Sequence, residues 1–375
     1  MYTIVTHPTH WNYGGLLQTL AMQKALAKLG ARSQTIEYMP PADIISRKKL
    51  TLKEKWNCWY TLMKFFLGAR GHVFPGYLYP FFFKAFKIFH IKSWNLDDKR
   101  RKILQLSRHK AFIVGSDQVW RATYARYMES TAFFFLSFAT QEQRQHSIAY
   151  AASFGSDEWE GTPEETDECA RLLKDFKAVS VREHSGIRIC QDSFGVNAVQ
   201  MPDPTLLLDP DDYSEIIRSW WTRRLSSPSI ASYILDSSDS RQALAADTAE
   251  QLQLSLQPLT VQNHAPQLMN RIPLSTPQWL RCVRDAECLL TDSFHGCVFA
   301  IIFNTPFVCL GNENRGSARF DSLLDTFGLQ DRLLINPTAE QVAECMNTPI
   351  DWERVNSIRN KEKLRGLEFL KSNIE

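Results

Sequence analysis

The sequence lacks the features that mark several common protein classes. None of its eight cysteines forms a Cys-x-x-Cys pair, and Cys288, Cys297 and Cys309 sit inside apolar runs. Zinc sites and disulfide frameworks need paired spacing, so these read as reduced structural thiols and point to the cytoplasm. No apolar run reaches the roughly 18–20 residues needed to span a bilayer. The opening "MYTIVTHPTHW" has no basic stretch leading into an apolar one, so no secretory leader is expected. Forty-three Lys and Arg stand against forty-one Asp and Glu, a formal net charge of +2. That balance gives no electrostatic case for nucleic acid. No metal-ligand cluster is present either, so no metal is expected.

What is present is a rhythm of apolar runs alternating with amphipathic segments, which predicts an α/β protein with parallel sheets. "YTIVTH" (2–7) reads as a buried strand. The loop "PTHWNYGG" follows, then a helix from about Leu16 to Leu29 and a strand over 33–38. The first turn holds glycines but is not GxGxxG, so dinucleotide binding is not indicated. Further strands are expected at 110–115, 146–153, 178–182 and 198–203. After a polar, aromatic boundary segment (210–229), alternation restarts with strands at 230–236, 256–262, 287–292 and 306–311. Helices are expected near 241–253, at 276–285 and after 292.

The predicted architecture is two doubly wound, Rossmann-like domains facing across a cleft, over residues 1–215 and 216–350. A terminal helix (351–375) could cross back to the first domain. In such sheets ligands bind beyond the carboxyl ends of the strands. Residues 56–95 break the rhythm: they are aromatic-rich, with scattered Lys and Arg and no acidic residue. They read either as an insertion folded onto the first domain or as a lid or peripheral membrane contact.

Four polar clusters follow predicted strands. In "TDSFHG" (291–296), Asp292, Ser293 and His295 fall at a strand end and the first turn of the next helix, with Ser293 as N-cap. The free N–H groups and positive dipole there favour an anion. His295 could act as an acid once one arrives, or simply hydrogen-bond a loop. In "GSDQVW" (115–120), Gly115 permits a tight turn, Ser116 and Asp117 offer polar atoms, and Trp120 offers a ring face. That mix suits a sugar, and it equally suits an Asx-type turn. In "SVREHSG" (180–186), Arg182 could grip phosphate or carboxylate, or form an interdomain salt bridge. "NENRGSARF" (312–320) is a polar loop with Asn314, Gly316, Ser317 and Arg319.

"NYGGLLQTLAMQKAL", "FIVGSDQVW", "SVREHSG", "PDPTLLL", "TDSFHGCVFAIIFNTPFV" and "GSARFDSLLDTFGL" occur in this order. Together they resemble the polysaccharide pyruvyl transferase family. The resemblance implies a GT-B-like fold and phosphoenolpyruvate as co-substrate, with no bound cofactor. The pyruvyl group is placed as a ketal across two hydroxyls of a sugar, free or on a lipid-linked oligosaccharide, and phosphate is released.

By position, His295 matches the family's proposed general acid and Arg182 an arginine associated with the donor's anionic groups. Ser293, Phe294, Ser317 and Arg319 fall on the donor side. Asn12, Gly14, Ser116 and Trp120 fall on the acceptor side, with Asp117 positioning a hydroxyl or accepting its proton. Some members carry Arg-x-His where this chain has Ser293-Phe294-His295, so the missing charge would come from Arg319 or Arg315. Two other readings stay open: a glycosyltransferase using a nucleotide sugar, and a catalytically silent glycan-binding or assembly protein.

Overall fold

The computed structural model describes residues 1–7, 12–37, 93–94, 111–128, 130–218, 222, 224–225, 227–236, 238–261, 273–311 and 318–374. Two parallel sheets organise them. The first carries β1 (Tyr2–Thr6), β2 (Ser33–Glu37), β3 (Ser93–Trp94), β4 (Ala111–Gly115), β5 (Ile148–Ala152), β6 (Ala178–Val181) and β7 (Val199–Gln200). Their spatial order is β3-β2-β1-β4-β5-β6-β7. The second carries β8 (Ser229–Tyr233), β9 (Ser255–Pro258), β10 (Cys288–Thr291), β11 (Phe307–Gly311) and β12 (Leu333–Ile335), in the order β12-β11-β10-β8-β9. Every strand pairing is parallel.

Parallel strands are joined by helices that cover both sheet faces, which is why these segments are continuous apolar runs. All five residues of β4, β5, β8 and β11 are buried. The connecting helices in the first domain are α1 (Tyr13–Lys28), α2 (Ala122–Met128), α3 (Gln141–Gln145), α4 (Pro163–Leu173), α5 (His184–Phe194) and α6 (Pro210–Arg218). In the second they are α7 (Asp239–Gln251), α8 (Thr276–Asp285), α9 (Phe294–Phe303), α10 (Ala318–Phe327) and α11 (Ala339–Asn347). The last helix, α12 (Trp352–Asn373), buries Leu370 in the same apolar cluster as Ile4, Ile113 and Tyr150 of the first sheet.

The two-domain parallel α/β architecture is the one the alternation predicts, with three local differences. α1 begins at Tyr13, three residues earlier than expected, because Asn12 caps it: Oδ1 accepts the Gly15 N–H at 2.5 Å. The strand expected at 198–203 pairs only over Val199–Gln200. Pro202 lacks an N–H for the ladder, and Asp203 caps a 3₁₀ turn over Pro204–Leu207 instead. The left-handed residue after β4 is Asp117 (φ 64°), while Gly115 simply ends the strand. The aromatic segment 56–95 lies outside the described residues, apart from the backbone of Ser93–Trp94. Among the described residues, no helix is long and apolar enough to cross a membrane.

Candidate active site

The carboxyl ends of the two sheets face one another, and a cavity of about 210 Å³ lies between them. From the first domain it is lined by Asn12 and Gly14 at the start of α1, and by Asp117, Gln118, Arg121 and Tyr124 after β4. Across from these stand Asp292, Ser293, Phe294 and His295 after β10, Arg319 on α10, and the apolar strand-end residues Tyr233 and Leu310.

The segment after β10 is fixed by local bonding. Thr291 Oγ1 donates to the Tyr233 carbonyl (2.7 Å) and accepts the Ser293 N–H (3.0 Å). Ser293 Oγ then accepts the Gly296 N–H (3.4 Å), so its hydroxyl caps α9. α9 is so apolar that nine of its ten residues are buried, which seats its N-terminus rigidly at the cavity wall. Asp292 is taken up structurally: its carboxylate accepts N–H groups of Leu235 (2.6 Å) and Asp236 (2.9 Å) and pairs with Arg241 (2.9 Å). It ties β8 to the second domain's strand ends.

His295 is 8% exposed and lines the cavity floor. Its Nε2 lies 3.6 Å from Oδ2 of Asp203, a carboxylate of the first domain. The same oxygen accepts Arg182 Nη1 at 2.9 Å. Burial alone would raise the pKa of Asp203, but His295, Arg182 and the Thr205 N–H outweigh it and hold the carboxyl well below the usual range. Asp203 was not singled out from the sequence. An acidic residue before Pro-Thr at a strand end is an N-cap signal, and that signal does not foretell its contact with two distant side chains.

Arg182 stands differently from the expectation of a cation open to the cleft. It is 3% exposed, paired within its own domain to Asp203, and its guanidinium lies 4.2 Å over the Phe294 ring. It lines a smaller cavity of about 20 Å³ behind that ring, while His295 lines the larger one; Phe294 and Arg319 border both. Neither an open donor ligand nor an interdomain salt bridge describes Arg182. It is a buried charge one ring away from the larger cavity. Phe294, 5% exposed, acts as the partition.

Arg319 reaches the larger cavity, and its Nε has no hydrogen-bond partner among the described residues. Burial, then the like charge of Arg182, bring its pKa down to about 10, so it remains a cation at neutral pH. Facing it, Asp117 is held below the usual carboxylate range. Its burial acts upward, but the charges of His7, Arg182, His295 and Arg319 prevail. Asp117 keeps its left-handed backbone because its carbonyl accepts the Ser153 N–H (3.1 Å) and its Oδ1 the Gln118 N–H (3.0 Å). Strain maintained at a cavity wall is typical of working residues.

Two acceptor-side expectations fail. Trp120 is wholly buried; it stacks on Phe135 (5.0 Å) and donates Nε1–H to the Phe134 carbonyl (3.2 Å), so no sugar can reach it. Ser116 is 1% exposed, commits its hydroxyl to Asp203 (3.1 Å) and does not line the cavity. Among the described first-domain residues, the aromatic ring that lines the cavity is Tyr124, 45% exposed, with the Arg121 guanidinium 4.7 Å above it. Ser317 and Arg315 lie outside the described residues.

No curated protein sequence matches the chain. Among solved structures it is similar to the glycotransferase of kitacinnamycin (11% identity, 100% of this chain and 99% of that chain, TM-score 0.48). It is also similar to the spinosyn forosaminyltransferase SpnP (12% identity, 99% of each chain, TM-score 0.46). A third is UDP-N-acetylglucosamine 2-epimerase from Rickettsia bellii (12% identity, 99% of this chain and 96% of that chain, TM-score 0.47). A family model for polysaccharide pyruvyl transferase matches residues 12–314, a span running from the cap of α1 past the end of β11 and including Asp117 and His295 but not Arg319. By that match the chain belongs to the polysaccharide pyruvyl transferase family.

Proposed function

We propose that this chain moves the pyruvyl group of phosphoenolpyruvate onto two hydroxyls of a sugar in a glycan, forming a ketal and releasing phosphate. The observation that carries the proposal is the composition of the interdomain cavity. An imidazole lines it, with an ionised carboxylate and a guanidinium whose Nε has no hydrogen-bond partner among the described residues. The donor is a trianion with a nucleophilic terminal carbon, which the guanidinium and the imidazole suit, while the carboxylate suits an acceptor hydroxyl.

In the proposed reaction Arg319 and the first turn of α9 hold the anionic groups, with Arg182 adding positive potential from behind Phe294. Protonated His295 gives its proton to C3, and positive charge develops at C2. The first sugar oxygen attacks C2, positioned through its hydroxyl by Asp117. The second oxygen then displaces phosphate as the C2–O bond to the phosphoryl group breaks. One hydroxyl proton restores His295 and the other leaves with phosphate, so the exchange balances without a redox partner. Phosphoenolpyruvate enters as co-substrate, and no bound cofactor is part of the scheme.

The test is phosphate release from phosphoenolpyruvate in the presence of glycan acceptors. The His295→Ala variant is expected to fold, with an unchanged circular dichroism spectrum, and to release none. An active alanine variant removes His295 as the acid. In thermal shift, stabilisation by UDP- or GDP-sugars but not by phosphoenolpyruvate would replace the donor with a nucleotide sugar.

A further inference from the structure

His295 belongs to the second domain, yet its imidazole is bracketed by groups of the first. On one edge, Nε2 faces Oδ2 of Asp203 at 3.6 Å. On the other, a Cβ built on Gly14 would fall 2.0 Å from Nδ1. Because residue 14 is glycine, the ring itself can occupy that volume against the α1 backbone, and both residues line the larger cavity.

Asp203 is 1% exposed and does not rotate freely. Its Oδ1 accepts both the N–H (3.0 Å) and the hydroxyl (2.7 Å) of Thr205. Its Oδ2 accepts Ser116 Oγ (3.1 Å) and Arg182 Nη1 (2.9 Å). These donors satisfy the carboxylate wholly within the first domain, as a buried anion requires. The contact with His295 is therefore surplus to the stability of that domain. Among the described residues, it is the one ion pair this carboxylate makes with the other side of the cleft.

We propose that Asp203 is the positioning residue for His295. It takes the Nε2–H of the protonated ring and leaves Nδ1–H, at the cavity-lining edge that lies against Gly14, as the group that delivers the proton. A cationic imidazole has two N–H groups, and an acid in a tight cavity must commit one to an anchor and one to the substrate. The inference rests on the reading of His295 as acid. It adds that the acid is assembled only where the two domains meet.

The experiment uses the full chain labelled with ¹⁵N in its imidazole rings, with His295 signals assigned by their loss in His295→Gln. In Asp203→Asn the His295 Nε2 signal is expected to move. In the same variant, kcat for phosphate release falls by about 10- to 100-fold, the scale of lost imidazole-orienting partners. The KM for acceptor is expected to change little, because Asp203 is buried and does not line the larger cavity. A His295 signal indifferent to Asp203→Asn, or a kcat within twofold of the parent enzyme, overturns the proposal. Should Asp203→Asn not fold, Thr205→Val removes one donor to Oδ1 and should move the same signal; no movement overturns the proposal. The spectrum is read without phosphoenolpyruvate, so failure of the donor assignment and failure of this contact are told apart.

Discussion

Gly14 and His295 come from different domains, and neither works alone. A methyl group at position 14 would meet Nδ1 at 2.0 Å and the ring carbon Cγ at 2.3 Å, both far inside van der Waals contact. The ring would have to turn off its rotamer, and it would lose its alignment with Asp203. Gly14→Ala is therefore expected to lower kcat for phosphate release by at least about tenfold, in line with what displaced catalytic groups lose. The helix itself should tolerate alanine, the residue of highest helix propensity. Full activity with an intact fold would show that the ring has room to spare. At this scale the sequence reading put His295, Arg319 and Asp117 at the cleft through their placement after strands, and all three line the cavity. It missed Asp203 and misplaced Trp120, because which side of a turn a side chain faces depends on packing contacts that spacing does not encode.

At the scale of elements, one carboxylate ties three of them together. Glu165 lies in the capping box of α4, accepting the Thr162 N–H (2.8 Å). It also takes Arg126 of α2 (Nε 3.0 Å, Nη2 2.5 Å) and the Thr131 hydroxyl of the following 3₁₀ turn (2.7 Å). The Arg126 hydrogen bond, with Thr131 and Thr162 adding to it against the effect of burial, lowers the Glu165 pKa from 4.5 to about 2. A carboxyl depressed in the fold stabilises it above its unfolded value, and that stabilisation fades as pH falls through the folded one. The melting temperature should thus decline between about pH 4.5 and pH 2, and Glu165→Gln should flatten part of that decline. An identical acid profile in the variant would place the pH sensitivity elsewhere. The bonds that make this latch run between residues 126, 131, 162 and 165, and the capping box is the one part readable from "TPEE" alone.

For the whole molecule, the two sheets are joined by apolar packing through α1. Tyr13 stacks on Trp279 of α8 (5.2 Å, 17° between ring planes) and donates its hydroxyl to the Leu274 carbonyl (2.8 Å). Leu17, Leu20 and Ala21 join the cluster that contains Phe299 and Leu324 of the second domain. α12 adds a second tie: Arg359 donates to the Ile302 carbonyl (2.8 Å) on one side and Arg365 to the Gln200 carbonyl (2.6 Å) on the other. Such an interface favours a fixed relation of the domains over loose hinging. Tyr13→Ala, which removes a stacked ring and a hydrogen bond at the start of α1, should lower stability by about 3–5 kcal/mol. Denaturant unfolding followed by tryptophan fluorescence would register it as a lowered midpoint. A loss under about 1 kcal/mol would mean that the seam adds little.

The periods and punctuation of the sequence were enough to determine two parallel α/β domains, because buried strands and covering helices leave an apolar signature in any context. They also determined that polar clusters would gather at the strand ends, since that is where a doubly wound sheet leaves room. Only the tertiary structure decided which of those residues share the cavity. It withdrew Trp120 and Ser116 into the first domain, set Arg182 behind Phe294, and brought Asp203 and Gly14 to the two edges of His295. The reason is geometric: these contacts span up to 281 positions of chain, between Gly14 and His295. Contacts of that range are settled by how two domains pack.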